Sequence, residues 1–477
     1  MQLKFGTSGL RGLSEELKGE PSARYATAFA RHLLTSGVSK PGDAILIARD
    51  FRPSSPEIAA VCAAALAREG LRVLDCGTVP TPALALYGLA NGAAGLMITG
   101  SHIPADRNGI KFYRPDGEID KADETAISRM AGELAGTITP VAGAGIGEDH
   151  SAEAAGLFLE RNRQLLPAGS LSGLKIGVYQ HSTVARDLLV EILTLFGADV
   201  VALGRSEHFI PVDTEAVSSE TIEKLQAWAR EHRLDAIVSA DGDGDRPLVA
   251  DENGLPLRGD LLGLIACRFL GATLAVTPVT SNSGLERSKG LSILRTQVGS
   301  PFVIAGMQQA LAEGARKVAG FEANGGTLTA SPFVVNGREL TALPTRDSFL
   351  PVVAVLAAAV EARLPLSVLS ASYHLPVALS DRLENFAIET SSGLMGHLRG
   401  GQANLATFLA PIGRPQAVSD IDGLRVTLDG GRIIHFRPSG NAPEMRCYVE
   451  AETLEAAEVL LAAGLSTVRQ WSELASN

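Results

Sequence analysis

The feature that most restricts the fold of this chain is an alternation running through its first three quarters. An Ala/Leu-rich helical stretch is followed by a short Val/Ile strand and then by a glycine-punctuated loop. Strands are predicted at Ala44–Ala48, Gly95–Thr99, Lys175–Tyr179, Asp235–Ala240, Thr273–Thr277 and Lys317–Phe321, with helices between them, for instance Ser55–Glu69 and Val184–Phe196. Strands that rotate with helices build α/β domains with largely parallel sheets. Ligands of such sheets bind beyond the carboxyl ends of strands. The last quarter reads differently. Gly423–Leu428 alternates in period two, Asp429-Gly430-Gly431 signals a hairpin, Arg432–Phe436 returns, and the strand Met445–Glu450 precedes a long helix from about Thr453. That is an α+β domain with an antiparallel sheet. Loop-rich stretches at Gly143–Asp149, Gly254–Gly259 and His374-Leu375-Pro376 divide the chain into segments 1–146, 147–255, 256–373 and 374–477.

Composition narrows the class. Hydrophobic residues make up 45% of the 477 residues and charged residues 20%, which rules out wholesale disorder. Aromatics are only 5%, so the cores are built mostly from Ala, Val, Leu and Ile. The net charge of −11 makes nucleic acid a poor partner, and any anionic ligand needs a local basic pocket. Cys62, Cys76, Cys267 and Cys447 are far apart, which argues against a disulfide scaffold or structural zinc and fits a reducing cytoplasm. The opening MQLKFGTSGLRG has no apolar core of a signal peptide. The longest apolar stretch, Phe349–Val360, is too short to span a bilayer and is expected as a buried helix. The expectation is a cytoplasmic protein without a membrane partner.

The sharpest local feature is Asp241-Gly242-Asp243-Gly244-Asp245-Arg246, directly after the strand LDAIVSA. Three carboxylates at alternate positions, separated by glycines, can turn their oxygens towards one point, which suits a hard cation such as magnesium. Without a counter-ion they repel one another. A calcium EF-hand would match Asp241, Asp243, Asp245 and Glu252, but its sharp turn needs glycine where Arg246 stands, and strands flank the loop. Zinc is disfavoured because the cluster holds neither His nor Cys. A second loop, Gly100-Ser101-His102-Ile103-Pro104, follows the strand GLMIT. A serine there beside a histidine suits a nucleophile, although the serine-hydrolase elbow G-x-S-x-G is absent.

Thr99-Gly100-Ser101-His102-Ile103-Pro104 closely resembles the phosphoserine loop T-A-S-H-N-P of the α-D-phosphohexomutases, the phosphomannomutase/phosphoglucomutase family. The resemblance covers the whole chain in order. Lys4 to Gly12 is similar to the family's N-terminal motif, and Ala48 to Pro56 follows in its place. Asp241 to Arg246 matches the metal loop, Glu322-Ala323-Asn324-Gly325-Gly326 the sugar-binding loop, and Arg437 to Arg446 the phosphate loop of a fourth domain. The implied fold has three similar α/β domains and a C-terminal α+β domain around a central cleft.

What this resemblance implies is reversible transfer of phosphate between O6 and O1 of mannose or glucose, through a phosphoserine enzyme and a hexose 1,6-bisphosphate that also serves as activator. Ser101 would carry the phosphoryl group, and Asp241, Asp243 and Asp245 would bind Mg2+ together with it. Arg11, Lys111 and Arg246 would neutralise the charge. Glu322 and Asn324 would bind sugar hydroxyls. Arg437, Ser439, Gly440, Asn441 and Arg446 would hold the phosphate that does not react. The chain departs from the family at Ile103, which replaces Asn, and at Asn441 and Ala442, which replace Thr and Glu. Asn324 replaces a common Ser, and Gly326 stands where many relatives have His. His102 and Lys111 are then the candidate general acid/base groups. Hexose phosphates are the expected partners, with the protein a monomer or weak homodimer. Alternatives are a phosphoglucosamine mutase, a metal-dependent phosphatase or phosphotransferase, and a non-catalytic sugar-phosphate sensor.

Overall fold

The structure is a computed structural model that describes residues 3–6, 9–141, 145–439 and 443–475. The chain divides into two compact units, Met1–Ala275 with Gly299–Ser372, and Val276–Val298 with Tyr373–Asn477.

In the first unit, the strand Ala44–Arg49 runs parallel to Arg72–Asp75 on one side and to Ala94–Ile98 on the other. The sheet then turns antiparallel, because Arg107–Arg114 pairs with Ala94–Ile98 and Gly9–Leu13 pairs with Arg107–Arg114. The helices Glu20–Thr35 and Ser55–Arg68 pack against the sheet, burying Phe29, Leu33, Ile58 and Leu66 on Ile45, Ile47, Leu96 and Ile98. Each such side chain contributes roughly 1.5–3 kcal/mol on burial. With few aromatics available, alanines fill the space between the helices, and Phe112 is the ring on which Phe29 and Phe5 meet edge-on at 5.2 and 5.4 Å. The expected Gly143–Asp149 loop carries a short strand, Glu148–Asp149, that pairs with Arg72–Asp75.

The second sheet orders Asp199–Leu203, Lys175–Tyr179 and Ala236–Ala240 in parallel, and Pro247–Ala250 returns antiparallel to the last of them. Ala240 faces Pro247 across the pair. The acidic loop is therefore the turn of a hairpin. The strands Val318–Phe321, Thr327–Thr329 and Leu343–Asp347 follow as successive antiparallel neighbours. The helix Phe349–Ala362 is buried continuously from Phe349 to Leu356, as its apolar run requires. Among the described residues no single helix is long and apolar enough to cross a membrane. All four cysteines are free and buried.

The second unit is built on an antiparallel sheet in the order Val377–Leu383, Met445–Ala451, Ile433–Pro438, Leu424–Leu428 and Pro415–Ser419. The hairpin signal at Asp429-Gly430-Gly431 lies where expected, with Gly430 and Gly431 at φ 71° and 75°, in the left-handed region glycine tolerates best. The helix Leu454–Ala475 covers the sheet through Leu460 and Val468, over Val426, Ile434 and Phe436. Val276–Val298, part of the expected third segment, groups with this unit. The reason is polar. The Ser283 backbone N–H and the hydroxyl donate to Glu450, the Asn282 amide donates to the Pro376 carbonyl at 2.8 Å, and the Val298 N–H to Asp422 at 3.0 Å.

Candidate active site

Ser101 lies three residues beyond the strand Ala94–Ile98, at φ 53°. A non-glycine residue pays about 1–3 kcal/mol there and keeps that conformation only when its surroundings impose it. Arg52 imposes it. The guanidinium donates to the carbonyls of Ser101 (3.1 Å), Ile103 (2.6 Å), Pro104 (2.7 Å) and Arg107 (2.9 Å), while its Nε donates to Asp50 at 3.2 Å. Asp50 also accepts from Ser55 and from Thr99, whose hydroxyl in turn accepts the Ser101 N–H at 2.8 Å. Phe209 stacks on the far face of Arg52, 3.9 Å from the ring centroid. Gly100 is required, because a Cβ there would meet the Arg52 guanidinium at 2.8 Å.

The Ser101 hydroxyl donates to Asp241 Oδ2. The two loops meet at backbone distance, since a Cβ on Gly242 would lie 2.7 Å from the Ser101 carbonyl oxygen. Within the hairpin turn, Asp241 Oδ1 accepts the Asp245 and Arg246 N–H groups at 3.2 Å each. Asp243 Oδ2 accepts from Thr81 and from Lys111 Nζ, both at 2.5 Å, and Lys111 also reaches Asp245 at 2.6 Å. The three aspartates are fully buried, and they present carboxylate oxygens all within 4.8 Å of one another. Asp243 Oδ1 and Asp245 Oδ1 have no hydrogen-bond partner. Buried, orphaned, hard oxygens at this spacing are the donor set a small divalent cation takes.

Arg246 reaches back over the serine loop. Its Nη1 donates to His102 Nδ1 at 3.0 Å, so that nitrogen is the unprotonated one, and Ser101 Oγ lies 3.3 Å from it. Burial, reinforced by Arg246, holds the His102 pKa down at about 3, so the ring is neutral. Burial opposes the charge of Lys111, but Asp243 and Asp245 outweigh it and raise its pKa, so it is an ammonium. Asp241 titrates well above the usual carboxylate range because of burial and its two acidic neighbours. Asp245 goes the other way, since Arg346, Lys111 and Arg246 overcome the cost of its burial. Arg11, on the strand Gly9–Leu13, is lowered to about 10 by burial and by Arg246 and Arg346.

The Glu322–Gly326 turn joins Val318–Phe321 to Thr327–Thr329. The Glu322 N–H donates to the Gly326 carbonyl at 3.2 Å, and Asn324 Oδ1 accepts the Gly326 N–H at 3.0 Å. The sequence pattern missed Arg346, at the end of the strand Leu343–Asp347. It donates to Asp245 through Nε (3.0 Å) and Nη2 (2.8 Å), and to Glu322 through Nη1 (2.7 Å). One signal was available: a lone Arg-Asp pair at a strand's carboxyl end, just before an apolar helix. Arg11, Lys111, Arg246 and Arg346 thus lie among the carboxylates of Asp241, Asp243, Asp245 and Glu322.

Four family models match the chain in order: phosphoglucomutase/phosphomannomutase alpha/beta/alpha domain I over residues 2–135, domain II over 158–254, domain III over 258–375, and the C-terminal domain over 398–463. The chain belongs to this family. It is an isomerase that acts by phosphotransfer, a phosphohexomutase. A protein named phosphomannomutase from Sinorhizobium fredii is 58% identical over 466 residues, covering 98% of each chain. Another of that name from Salmonella muenchen is 41% identical over 480 residues, covering 98% of this chain and 96% of the relative. A phosphoglucosamine mutase from Cereibacter sphaeroides is 30% identical over 94% of each chain. Among solved structures, a phosphoglucomutase/phosphomannomutase family protein from Burkholderia thailandensis aligns at TM-score 0.76, with 21% identity over 98% of each chain. One described as a phosphomannomutase from Thermus thermophilus aligns at 0.76, with 22% identity over 99% of each.

The C-terminal loop of this phosphohexomutase lies in the second unit. Of the residues expected there, Gly440 and Asn441 are outside the described residues. Arg437 and Arg446 face each other on neighbouring antiparallel strands, and Arg382 faces Arg446 from the other side. Three guanidinium groups thus stand in a row on one face of the sheet, of which Arg382 was not foreseen. Asp422 lies 2.9 Å from Arg437 Nε, and Glu444 lies 3.6 and 3.5 Å from Arg382 and Arg446. Like charges directly opposed across strands repel, and an anion relieves them. The Ser439 N–H donates to the Glu444 carbonyl at 2.9 Å, closing the loop.

Proposed function

We propose that this chain interconverts mannose 6-phosphate and mannose 1-phosphate, accepting glucose phosphates as well, with Ser101 as the phosphoryl carrier. The observation that carries this reading is the convergence of the Ser101 hydroxyl on the buried Asp241, Asp243 and Asp245 cluster with its orphaned oxygens. The choice of mannose is supported by the two relatives named phosphomannomutase at 58% and 41% identity. A reducing cytoplasm suits the four free cysteines.

The aspartate cluster would hold Mg2+, which when bound draws charge from the transferring phosphoryl oxygens. In the chemical step a sugar hydroxyl oxygen bonds to phosphorus as the P–Oγ bond of phosphorylated Ser101 breaks. The hydroxyl proton ends on the departing Oγ of Ser101, relayed through His102 or Lys111, the two candidate groups at the serine loop. The resulting hexose 1,6-bisphosphate turns end for end and returns its other phosphate to Ser101. Arg11, Lys111, Arg246 and Arg346 offset carboxylates of the cluster, and the charge of a bound divalent cation matches that of a phosphoserine of roughly −2. Glu322 and Asn324 position the sugar hydroxyls. Arg437, Ser439, Gly440, Asn441 and Arg446 hold the distal phosphate.

The test is an assay with mannose 6-phosphate, magnesium and catalytic hexose 1,6-bisphosphate. Ser101→Ala is expected to lose nearly all mutase activity, as is the wild type after chelation of the metal, with recovery on adding magnesium. A Ser101→Ala variant at near wild-type rate would refute the phosphoserine role. Turnover of glucosamine 6-phosphate alone would favour the phosphoglucosamine reading, and inorganic phosphate as main product a phosphatase.

A further inference from the structure

Arg346 is buried, with 8% of its surface exposed, and three of its N–H groups are committed to carboxylates on two different loops. Two go to Asp245 of the acidic hairpin, and the third goes to Glu322 of the turn that follows Val318–Phe321. The side chain passes directly over Gly326. A Cβ at that position would lie 2.7 Å from Arg346 Cδ, 2.8 Å from Cγ and 2.9 Å from Cβ, closer than atoms approach without something moving. Gly326 is not in the left-handed region, so backbone freedom does not explain it. Space does. Two positions twenty residues apart therefore form one device, a glycine that leaves a gap and an arginine that fills it.

We propose that Arg346 is a positioning residue for the mutase reaction, and that Gly326 serves it by leaving room for its side chain. This rests on the mutase reading above. The planar guanidinium sets the distance between Asp245 and Glu322, which a flexible ammonium cannot do from one point. It neutralises both carboxylates while leaving Asp245 Oδ1 without a hydrogen-bond partner. Glu322 Oε2 is held from one side by Arg346 and is 3.5 Å from the Asn324 amide on the other, so the carboxylate has one orientation in which to accept sugar hydroxyls. The sugar turn and the acidic hairpin are thereby locked in register, and a sugar oxygen bound at one is aimed at phosphorus held at the other. Arg346 acts through Asp245 and Glu322, so its loss is felt in the rate of the bound complex more than in binding.

The experiment is a double-mutant cycle on the full chain with mannose 6-phosphate, magnesium and catalytic bisphosphate, reading kcat and KM separately and melting each variant. Gly326→Ala keeps Arg346 but displaces it. It is expected to lower kcat about 10–100-fold, the usual cost of losing a partner that orients a functional carboxylate, with KM changed less than threefold. Arg346→Lys is expected to fall in the same range, because the charge alone does not restore the fork. Gly326→Ala combined with Arg346→Lys is expected to be no slower than Arg346→Lys alone. Arg346→Gln, which removes the charge as well, is expected to fall at least as far; if it fails to fold, the Gly326 and Lys variants still decide. Folded Gly326→Ala at wild-type kcat, additive losses in the double variant, or losses confined to KM would each overturn the proposal while leaving the mutase reading intact. An inactive wild type would instead sink that reading and the proposal with it.

Discussion

At the scale of single residues, the site depends on side chains that never meet a substrate. Arg52 uses all its N–H groups on one carboxylate and four backbone carbonyls, and Ser101 sits at positive φ because of it. Replacing Arg52 by Met leaves Asp50 buried without its counter-charge. We expect a loss of about 3–5 kcal/mol, measured by urea denaturation, together with a lower kcat. Gly242→Ala is expected to cost roughly 1–3 kcal/mol of stability and to cut kcat at least tenfold, since its methyl group would push on the Ser101 carbonyl. An unchanged kcat would show that the two loops need not touch. The residues that bear chemistry were legible because their types are chemically unusual at their positions, as with three aspartates between glycines. Arg346 and Arg382 were not, because an isolated arginine in sequence is most often a solvated charge, and only the register of distant strands shows otherwise.

At the scale of elements, periodicity was a sound guide. The strand Lys175–Tyr179 was placed to the residue, and the helix Ser55–Arg68 ends one residue before the expected Glu69. The helix turns its apolar pattern to the first sheet and the strand lies buried inside the second, so in both local preference and tertiary burial agree. The helix Lys121–Glu133 starts with a capping box in which Asp120 accepts from the Ala122 and Asp123 N–H groups at 2.8 and 2.9 Å, and Asp123 accepts the Asp120 N–H at 3.1 Å. Asp120→Ala is expected to cost about 1 kcal/mol in thermal or urea unfolding, and to leave mutase activity unchanged. Elements of two or three residues, such as Glu148–Asp149 and Thr327–Thr329, were not legible. They are too short to carry a period, and they exist because a neighbouring strand offers them hydrogen bonds.

At the scale of the whole molecule, buried groups set how stability responds to pH. His181 is fully buried, donates through Nε2 to the Ala240 carbonyl (2.9 Å), and is lowered by burial from 6.5 to about 4. The unfolded chain therefore takes up a proton near pH 6.5 that the folded chain refuses until about pH 4. Stability is full above the higher value and falls as pH drops between the two, by roughly 3 kcal/mol for this one group. His435, lowered to about 4 for the same reason, adds to the effect. Unfolding free energy measured from pH 7 to 4 should fall steeply in the wild type and less steeply in His181→Asn; equal slopes would exclude the assignment.

The amino-acid sequence by itself determined the alternation of strands and helices, the antiparallel last quarter, and which loops hold carboxylates, serine and arginines, because periodicity and residue chemistry are local properties. Only the tertiary structure decided which of those loops meet. The hydroxyl of Ser101 reaches Asp241 across 140 positions, Arg346 joins Asp245 to Glu322, and Val276–Val298 groups with the C-terminal sheet through Glu450 and Asp422. Pairings of that range follow from sheet register and from the requirement that buried charges be paired, and neither is written in any short stretch of chain.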